Sequence, residues 1–226
     1  MKNYVIILAS GTGSRCGSDI PKQFIKIAGK TIFEHTIGIF EGLKEIDEII
    51  VVITPEYKHF AQELIIKNSY KKISKLLNGG STRKESSYIG VFSIEDSEAN
   101  VLIHDCARPF LSEQIIKNCI NALEKYDAVD VAIPSSDTII KVKGNIIESI
   151  PERKYLKRSQ TPQCFKLSTI KKAHELSKND NSCTDDCSMV VKYGLGEVYV
   201  VEGDSKNIKI TYPEDVYLAD RLFQLP

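Results

Sequence analysis

The chain has 226 residues, 42% of them hydrophobic and 27% charged. At about 150 residues per domain that suits a single domain with an excursion, able to bury its own core without disulfides or a structural metal. Its 30 basic and 30 acidic residues sum to zero net charge. That balance argues against a nucleic-acid or anionic-membrane surface, so any functional cations must be focused in a site. No apolar run reaches the roughly 18–20 residues of a membrane span.

Predicted strands and helices alternate along the chain. Tyr4–Leu8 is a continuous apolar run, as for a strand covered on both faces. It is shorter than the roughly 7–15 apolar residues of a secretory leader and no small-residue cleavage site follows it, so it reads as a first buried strand. A Gly- and Ser-rich loop follows from Ala9 to Pro21. Ile32, Phe33, Ile37, Ile39 and Phe40 recur at helical spacing, and Ile49–Ile53 is a second buried strand stopped by Thr54-Pro55. Phe60, Leu64 and Ile65 mark the next helix, and Ile73–Leu77 is a short strand ended by Asn78-Gly79-Gly80.

Ser86 to Phe92 is helical, and Val101–Ile103 is a strand ending at His104-Asp105. Ile115, Ile116, Cys119, Ile120 and Leu123 form a helical stripe, followed by a strand over Ala128–Ile133. This alternation predicts an α/β fold with a doubly wound, mostly parallel sheet. The rhythm breaks at Thr138–Val142 and Ile146–Ile150, which flank a Gly144-Asn145 turn and read as a hairpin arm at about 136–156. Beyond it come helices near Leu167–Leu176 and Thr184–Tyr193, strands near Val198–Val201 and Ile208–Thr211, and a last helix opened by Pro213. Cys16, Cys106, Cys119, Cys164, Cys183 and Cys187 form neither a CxxC pair nor a zinc spacing, which suits a reduced, cytoplasmic chain.

The loop Ala9-Ser10-Gly11-Thr12-Gly13-Ser14-Arg15 lies where an open sheet places ligands, beyond a strand's carboxyl end. Small residues allow close backbone approach, and successive N–H groups can cradle phosphate oxygens. The dinucleotide fingerprint fails, because the next glycine is Gly17, one residue late; Walker A fails, because Phe24 stands where a Gly is required. Gly29-Lys30 reads as a turn. Arg15 and Lys22 follow the loop closely. Either alone reads as a solvated charge; beside a phosphate cradle the pair suits a triphosphate or a departing pyrophosphate.

Further blocks follow in order: Pro21-Lys22-Gln23-Phe24, then Gly79-Gly80 with Arg83 and Ser86, then His104-Asp105-Cys106-Ala107-Arg108-Pro109-Phe110. After these come Asp137-Thr138, Arg153, Gln160-Thr161-Pro162-Gln163, Thr184-Asp185-Asp186, and Asn207-Ile208-Lys209-Ile210-Thr211 with Pro213-Glu214-Asp215. Taken together the chain resembles the IspD/TarI cytidylyltransferase family along nearly its whole length. The resemblance implies a Rossmann-like nucleotidyltransferase fold whose arm dimerises, and a reaction in which a polyol phosphate attacks the α-phosphorus of the co-substrate CTP, with Mg²⁺, to give a CDP-polyol and pyrophosphate.

Carried over residue by residue, the resemblance gives Ala9, Ser10, Gly11 and Gly13 to the nucleotide. Arg15, Lys22 and Lys209 receive catalytic roles on the phosphates. Gly80, Arg83 and Ser86 line the cytosine and ribose side, and Asp105 faces the ribose, the acceptor and the metal. Arg108, Thr138, Arg153, Thr161 and Thr184 serve the acceptor, with Thr138 and Arg153 reaching toward a neighbouring subunit. Other readings stay open: Asp105 could cap a loop beside Arg108, Arg153 could be an ordinary surface charge, and Thr184 is a good helix N-cap. Ser81 stands where several relatives carry Asp.

Two acceptors remain open, 2-C-methyl-D-erythritol 4-phosphate and D-ribitol 5-phosphate. His104–Arg108 and Thr184–Asp186 lean toward the first; Ile150–Arg153, Arg158–Gln163 and Asp127–Asp130 lean toward the second. Alternatives of other kinds are a nucleotidyltransferase for another sugar phosphate and a silent nucleotide-binding paralogue, the latter disfavoured by the intact set Arg15, Lys22, Asp105, Arg153 and Lys209.

Overall fold

Runs of Ile and Val that bury both faces build the centre of the sheet. β1 (Lys2–Ala9) lies between β4 (Glu48–Ile53) and β6 (Ala99–Asp105), parallel to both, and β5 (Ile73–Asn78) continues the parallel set beyond β4. Alternate residues of β1 enter different layers, as a strand's period of two requires. Val5, Ile7 and Ala9 pack with α1 (Ile32–Glu41), α2 (Lys58–Asn68) and α4 (Glu113–Ala122) through Phe33, Phe40, Leu64 and Ile116. Tyr4, Ile6 and Leu8 pack with α3 (Arg83–Phe92), α5 (Leu167–Leu176) and α6 (Asp186–Lys192) through Val91, Ile170 and Val190. The computed structural model describes residues 1–11, 13 and 20–224. Arg15 and Cys16 therefore lie outside the described residues.

On the other side of β6 the parallel order is interrupted. β11 (Gln163–Lys166) runs antiparallel between β6 and β7 (Ala128–Pro134), and β10 (Lys157–Ser159) pairs antiparallel with the end of β7. β12 (Val198–Glu202) is parallel to β7. The sheet is thus mostly parallel, as the alternation predicts. The short runs at β10 and β11 carry too few apolar residues to announce themselves by periodicity. A small hairpin, β2 (Lys26–Ile27) with β3 (Lys30–Thr31), turns through Ala28 and Gly29, both at positive φ.

Two local readings are corrected. Ile208–Thr211 forms no strand; Ile210 is buried and donates its N–H to Ala107 O at 2.9 Å. Its alternating pattern serves to bury Ile210 while directing Lys209 into the cavity described below. Helix α6 begins at Asp186, with Asp185 and not Thr184 as its N-cap: the Asp185 carboxylate accepts from Ser188 N at 2.8 Å. A carboxylate one residue further on outcompetes the hydroxyl.

A hairpin stands where the sequence places one, but its first strand starts at Lys141 and not at Thr138. β8 (Lys141–Lys143) and β9 (Ile146–Ser149) pair across Gly144-Asn145, with every strand residue exposed. The final helix α7 (Pro213–Gln224) rests on Ile27 and Ile32 through Ala219. No helix among the described residues is long and apolar enough to cross a membrane.

Asp130 on β7 gives a testable consequence of packing. Burial pushes its carboxyl up to about 6; bonds from Gln163 and Ser159 oppose this, and nearby Asp185 adds to it. A raised folded-state pKa means that this group's stabilisation is fully present below about pH 4 and is lost as pH rises toward 6. Both bonds reach Oδ1, so an amide can keep them. Asp130→Asn should raise Tm by about 2–4 °C at pH 8 and leave it unchanged at pH 4, read by thermal denaturation at both pH values.

Candidate functional site

β1 has β4 on one side and β6 on the other, so the sheet changes winding direction between β1 and β6, and the crevice at such a point is where α/β sheets bind ligands. A cavity of about 330 Å³ opens at the carboxyl ends of these strands. The end of β1 contributes Ala9, Ser10, Gly11 and Gly13; the start of α3 contributes Gly80, Ser81, Thr82 and Arg83; the end of β6 contributes Asp105, Cys106 and Ala107. Lys22, Lys209 and Thr211 also line it.

The glycine loops are held by close packing. Gly13 has φ +69°, and a Cβ there would lie 2.9 Å from Lys22 N. A Cβ on Gly79 would lie 2.4 Å from Ser10 Cβ, so this glycine lets β5's exit pass against β1's exit. Ser86, fully buried, ties the two together: its Oγ is 2.7 Å from Ser10 Oγ and accepts from Gly80 N at 3.2 Å. At Ser81, the N–H and Oγ both donate to Glu85 Oε2 at 2.7 Å, so a carboxylate four residues on closes the turn. Gln23 is buried and donates to Ala9 O at 2.6 Å, which ties the Lys22–Phe24 turn to β1. Lys22 Nζ donates to Ile210 O at 2.8 Å.

Asp105 is the electrostatic centre. Burial would raise its pKa, but Arg83 and then Lys209 overcome this and hold the carboxyl well below the usual range. Arg83 Nε lies 3.2 Å from Oδ1, and Lys209 Nζ lies 2.8 Å from Oδ2. Arg83 also meets Asp186 Oδ2 at 2.7 Å. Burial opposes the guanidinium's charge, and Asp186 followed by Asp105 more than restores it, raising its pKa. Asp186 belongs to the Thr184-Asp185-Asp186 run, and nothing in the sequence announces it as an ion-pair partner of Arg83 across the fold.

Behind Asp105 a relay fixes the loop. Burial pushes His104 down to about 4, so its ring is neutral; Nε2 donates to Arg108 O at 3.0 Å and Nδ1 accepts from Thr161 Oγ1 at 3.0 Å. Thr161 Oγ1 in turn accepts from Asp105 N at 3.1 Å. The Thr161 hydroxyl is thus engaged within the protein and does not line the cavity. Thr161→Val leaves a buried donor unmet and should cost about 2 kcal/mol. Calorimetry should show Tm lower by about 4–8 °C, with Thr161→Ser close to the parent.

The remaining predicted site residues lie outside this cavity. Arg108 is half-buried and donates through Nη1 to Asn207 O at 2.8 Å; its Nε has no partner among the described residues. Thr184 is exposed and lines a neighbouring hollow of about 270 Å³ with Arg83 and Asp186. Thr138 and Arg153 stand exposed by the base of the arm, where Arg153 Nη1 donates to Ser136 O at 3.1 Å. Within this chain alone they are not brought to the cavity.

The described residues contain no group of three or more His, Cys, Asp or Glu side chains that could hold a metal. A lone carboxylate still suits Mg²⁺ when substrate phosphates supply other oxygen ligands. Asp105 fits that arrangement if Lys209 transfers from it to a phosphate.

The model of the family described as "IspD: 2-C-methyl-D-erythritol 4-phosphate cytidylyltransferase" matches residues 3–224. The chain is 44% identical over 229 residues to the bifunctional ribulose 5-phosphate reductase/CDP-ribitol pyrophosphorylase Bcs1 of Haemophilus influenzae, covering 99% of this chain and 48% of that protein. It thus spans about half the length of that relative. It is also 44% identical over 219 residues to the 2-C-methyl-D-erythritol 4-phosphate cytidylyltransferase of Clostridium perfringens, covering 95% and 96%. Among solved structures, the 4-diphosphocytidyl-2C-methyl-D-erythritol synthase of Anaerococcus prevotii superposes with a TM-score of 0.89 at 31% identity, covering 99% of each chain. The Francisella tularensis 2-C-methyl-D-erythritol 4-phosphate cytidylyltransferase gives 0.82 at 32%, covering both chains fully. The ordered motifs, the mostly parallel sheet and the cavity at its switch point agree with these matches, and the chain belongs to the IspD family of cytidylyltransferases.

Proposed function

We propose that the chain transfers CMP from CTP to a small polyol phosphate, 2-C-methyl-D-erythritol 4-phosphate or D-ribitol 5-phosphate. The observation that carries this reading is the single cavity in which the glycine loop, Lys22 and the Arg83–Asp105–Lys209 cluster converge. An acceptor phosphate oxygen attacks the α-phosphorus, and the bond from that phosphorus to the bridging oxygen breaks as pyrophosphate leaves. Such chemistry asks the protein for alignment and charge neutralisation.

Backbone N–H groups at Ser10, Gly11 and Gly13 cradle the triphosphate, and Lys22, with Arg15, draws off the pyrophosphate charge. Gly80, Arg83 and Ser86 shape the cytosine and ribose side, where close packing leaves room for a pyrimidine. Lys209 moves its donors from Asp105 to the α-phosphate as negative charge grows there. Mg²⁺, when bound, adds charge neutralisation at the phosphates; Asp105 is the residue that would hold it.

Arg153 grips the acceptor's phosphate, helped by Thr138 and by Arg108, which is half-buried near Asp105. Thr138, Arg153 and Thr184 complete the acceptor site in a homodimer. Support for that assembly comes from the arm, which exposes Ile146, Ile147, Ile150 and Tyr155. The whole chain acts as one unit, with the arm as an excursion from it. Cys106, Cys119, Cys164, Cys183 and Cys187 are free thiols, which suits a cytoplasmic setting.

Pyrophosphate release with CTP and Mg²⁺, run in parallel with the two acceptors, tests the reading. Turnover is expected with one of them. Lys22→Ala and Lys209→Ala should each lower kcat by about 10²–10³-fold with circular dichroism unchanged. Folded protein that neither binds CTP nor turns over would refute the reading, and wild-type rates in both variants would refute the assigned roles.

A further inference from the structure

Arg83 opens α3, where the positive end of the helix disfavours a cation. Carboxylates from two other elements hold it there. Asp105 lines the cavity and is shared with Lys209. Asp186 is not shared in this way. Its side chain is 1% exposed, with Oδ2 on Arg83 Nη1 and Oδ1 accepting from Ser87 Oγ at 2.5 Å.

Ser87 is fully buried one turn along α3 from Arg83, and its Oγ is 3.1 Å from Nε2 of the buried His174 on α5. His174 Nδ1 has no partner among the described residues. A ring with a bare Nδ1 keeps its proton on Nε2, which then donates to Ser87 Oγ and turns the hydroxyl hydrogen toward Asp186. Burial lowers the pKa of His174 despite Asp186, in keeping with a neutral ring. The Asp186 N–H donates to Gln163 Oε1 at 3.0 Å, so the backbone of this residue is pinned as well.

Resting on the nucleotide reading above, we propose that Asp186, oriented by Ser87 and His174, is a positioning residue that anchors Arg83 in the cavity. Asp105 can then exchange its partners for substrate or cation while Arg83 stays in place. The anchor comes from the layer behind the cavity and touches no reacting atom.

Titration of CTP into the full chain in the presence of Mg²⁺ tests this. Asp186→Asn should weaken CTP binding by about tenfold while the acceptor KM stays within about twofold. Arg83→Ala should weaken CTP binding at least as much, and adding Asp186→Asn to it should change nothing further. Ser87→Ala should weaken binding by about threefold and decides the matter should Asp186→Asn not fold. His174→Gln, which keeps a donor at the Nε2 position, should match the parent, and His174→Leu should follow Ser87→Ala. A lower Tm with unchanged CTP affinity, or losses that add in the double variant, would overturn the anchor.

An NMR readout separates this inference from the functional reading. The Arg83 Nη1–H resonance, on the nitrogen that Asp186 holds, should persist in Asp105→Asn and vanish in Asp186→Asn, whether or not CTP binds. The reverse pattern overturns the anchor even in an active enzyme. Absence of CTP binding by the parent would overturn only the functional reading.

Discussion

A carboxylate at the end of a fully buried strand must be paired or neutralised, and the pairing of Asp105 with Arg83 and Lys209 organises the site. Each partner arrives on a different element. Arg83 comes from the first turn of α3, and Lys209 from an irregular segment pinned by Ile210 to the loop after β6. To satisfy one buried charge the fold must bring β6, α3 and residues 208–211 together. That convergence encloses the cavity.

The charges in this cluster balance before any ligand arrives. Among the described residues, Arg83 and Lys209 offset Asp105 and Asp186, and Lys22 lines the same cavity. In a chain of zero net charge, such local focusing would suit the proposed polyphosphate substrate without making the surface sticky for nucleic acid. On the proposed reading, Lys209 faces Asp105 at rest and exchanges it for a phosphate during reaction. The exchange keeps its charge satisfied in both states.

Much of this was legible from residues alone, for physical reasons. Tyr4–Leu8 and Ile49–Ile53 are apolar on both faces, so only a covered strand suits them, and α5 begins and ends where its periodicity does. The glycine loop is readable because small residues mark close backbone approach. β11 was not readable: four residues with no alternation become a strand only because β6 and β7 offer edges on both sides. The Ile208–Thr211 pattern misled because burying one isoleucine produces the same signal as a strand. Asp186 was visible but its role was not, since partnership with Arg83 spans 103 positions. Thr138 and Arg153 mark what one chain cannot display, because their proposed site belongs to a second copy.

The most direct measurement is a crystal structure of the chain with CTP and Mg²⁺. The triphosphate is expected against Gly11, Gly13 and Lys22, the cytosine beside Gly80 and Ser81, and Lys209 turned from Asp105 to the α-phosphate, with Arg83 still on Asp186. Nucleotide bound elsewhere on the molecule, or bound in the cavity with its phosphates away from Lys22 and Lys209, would contradict the central claim that this charge cluster is built to receive CTP.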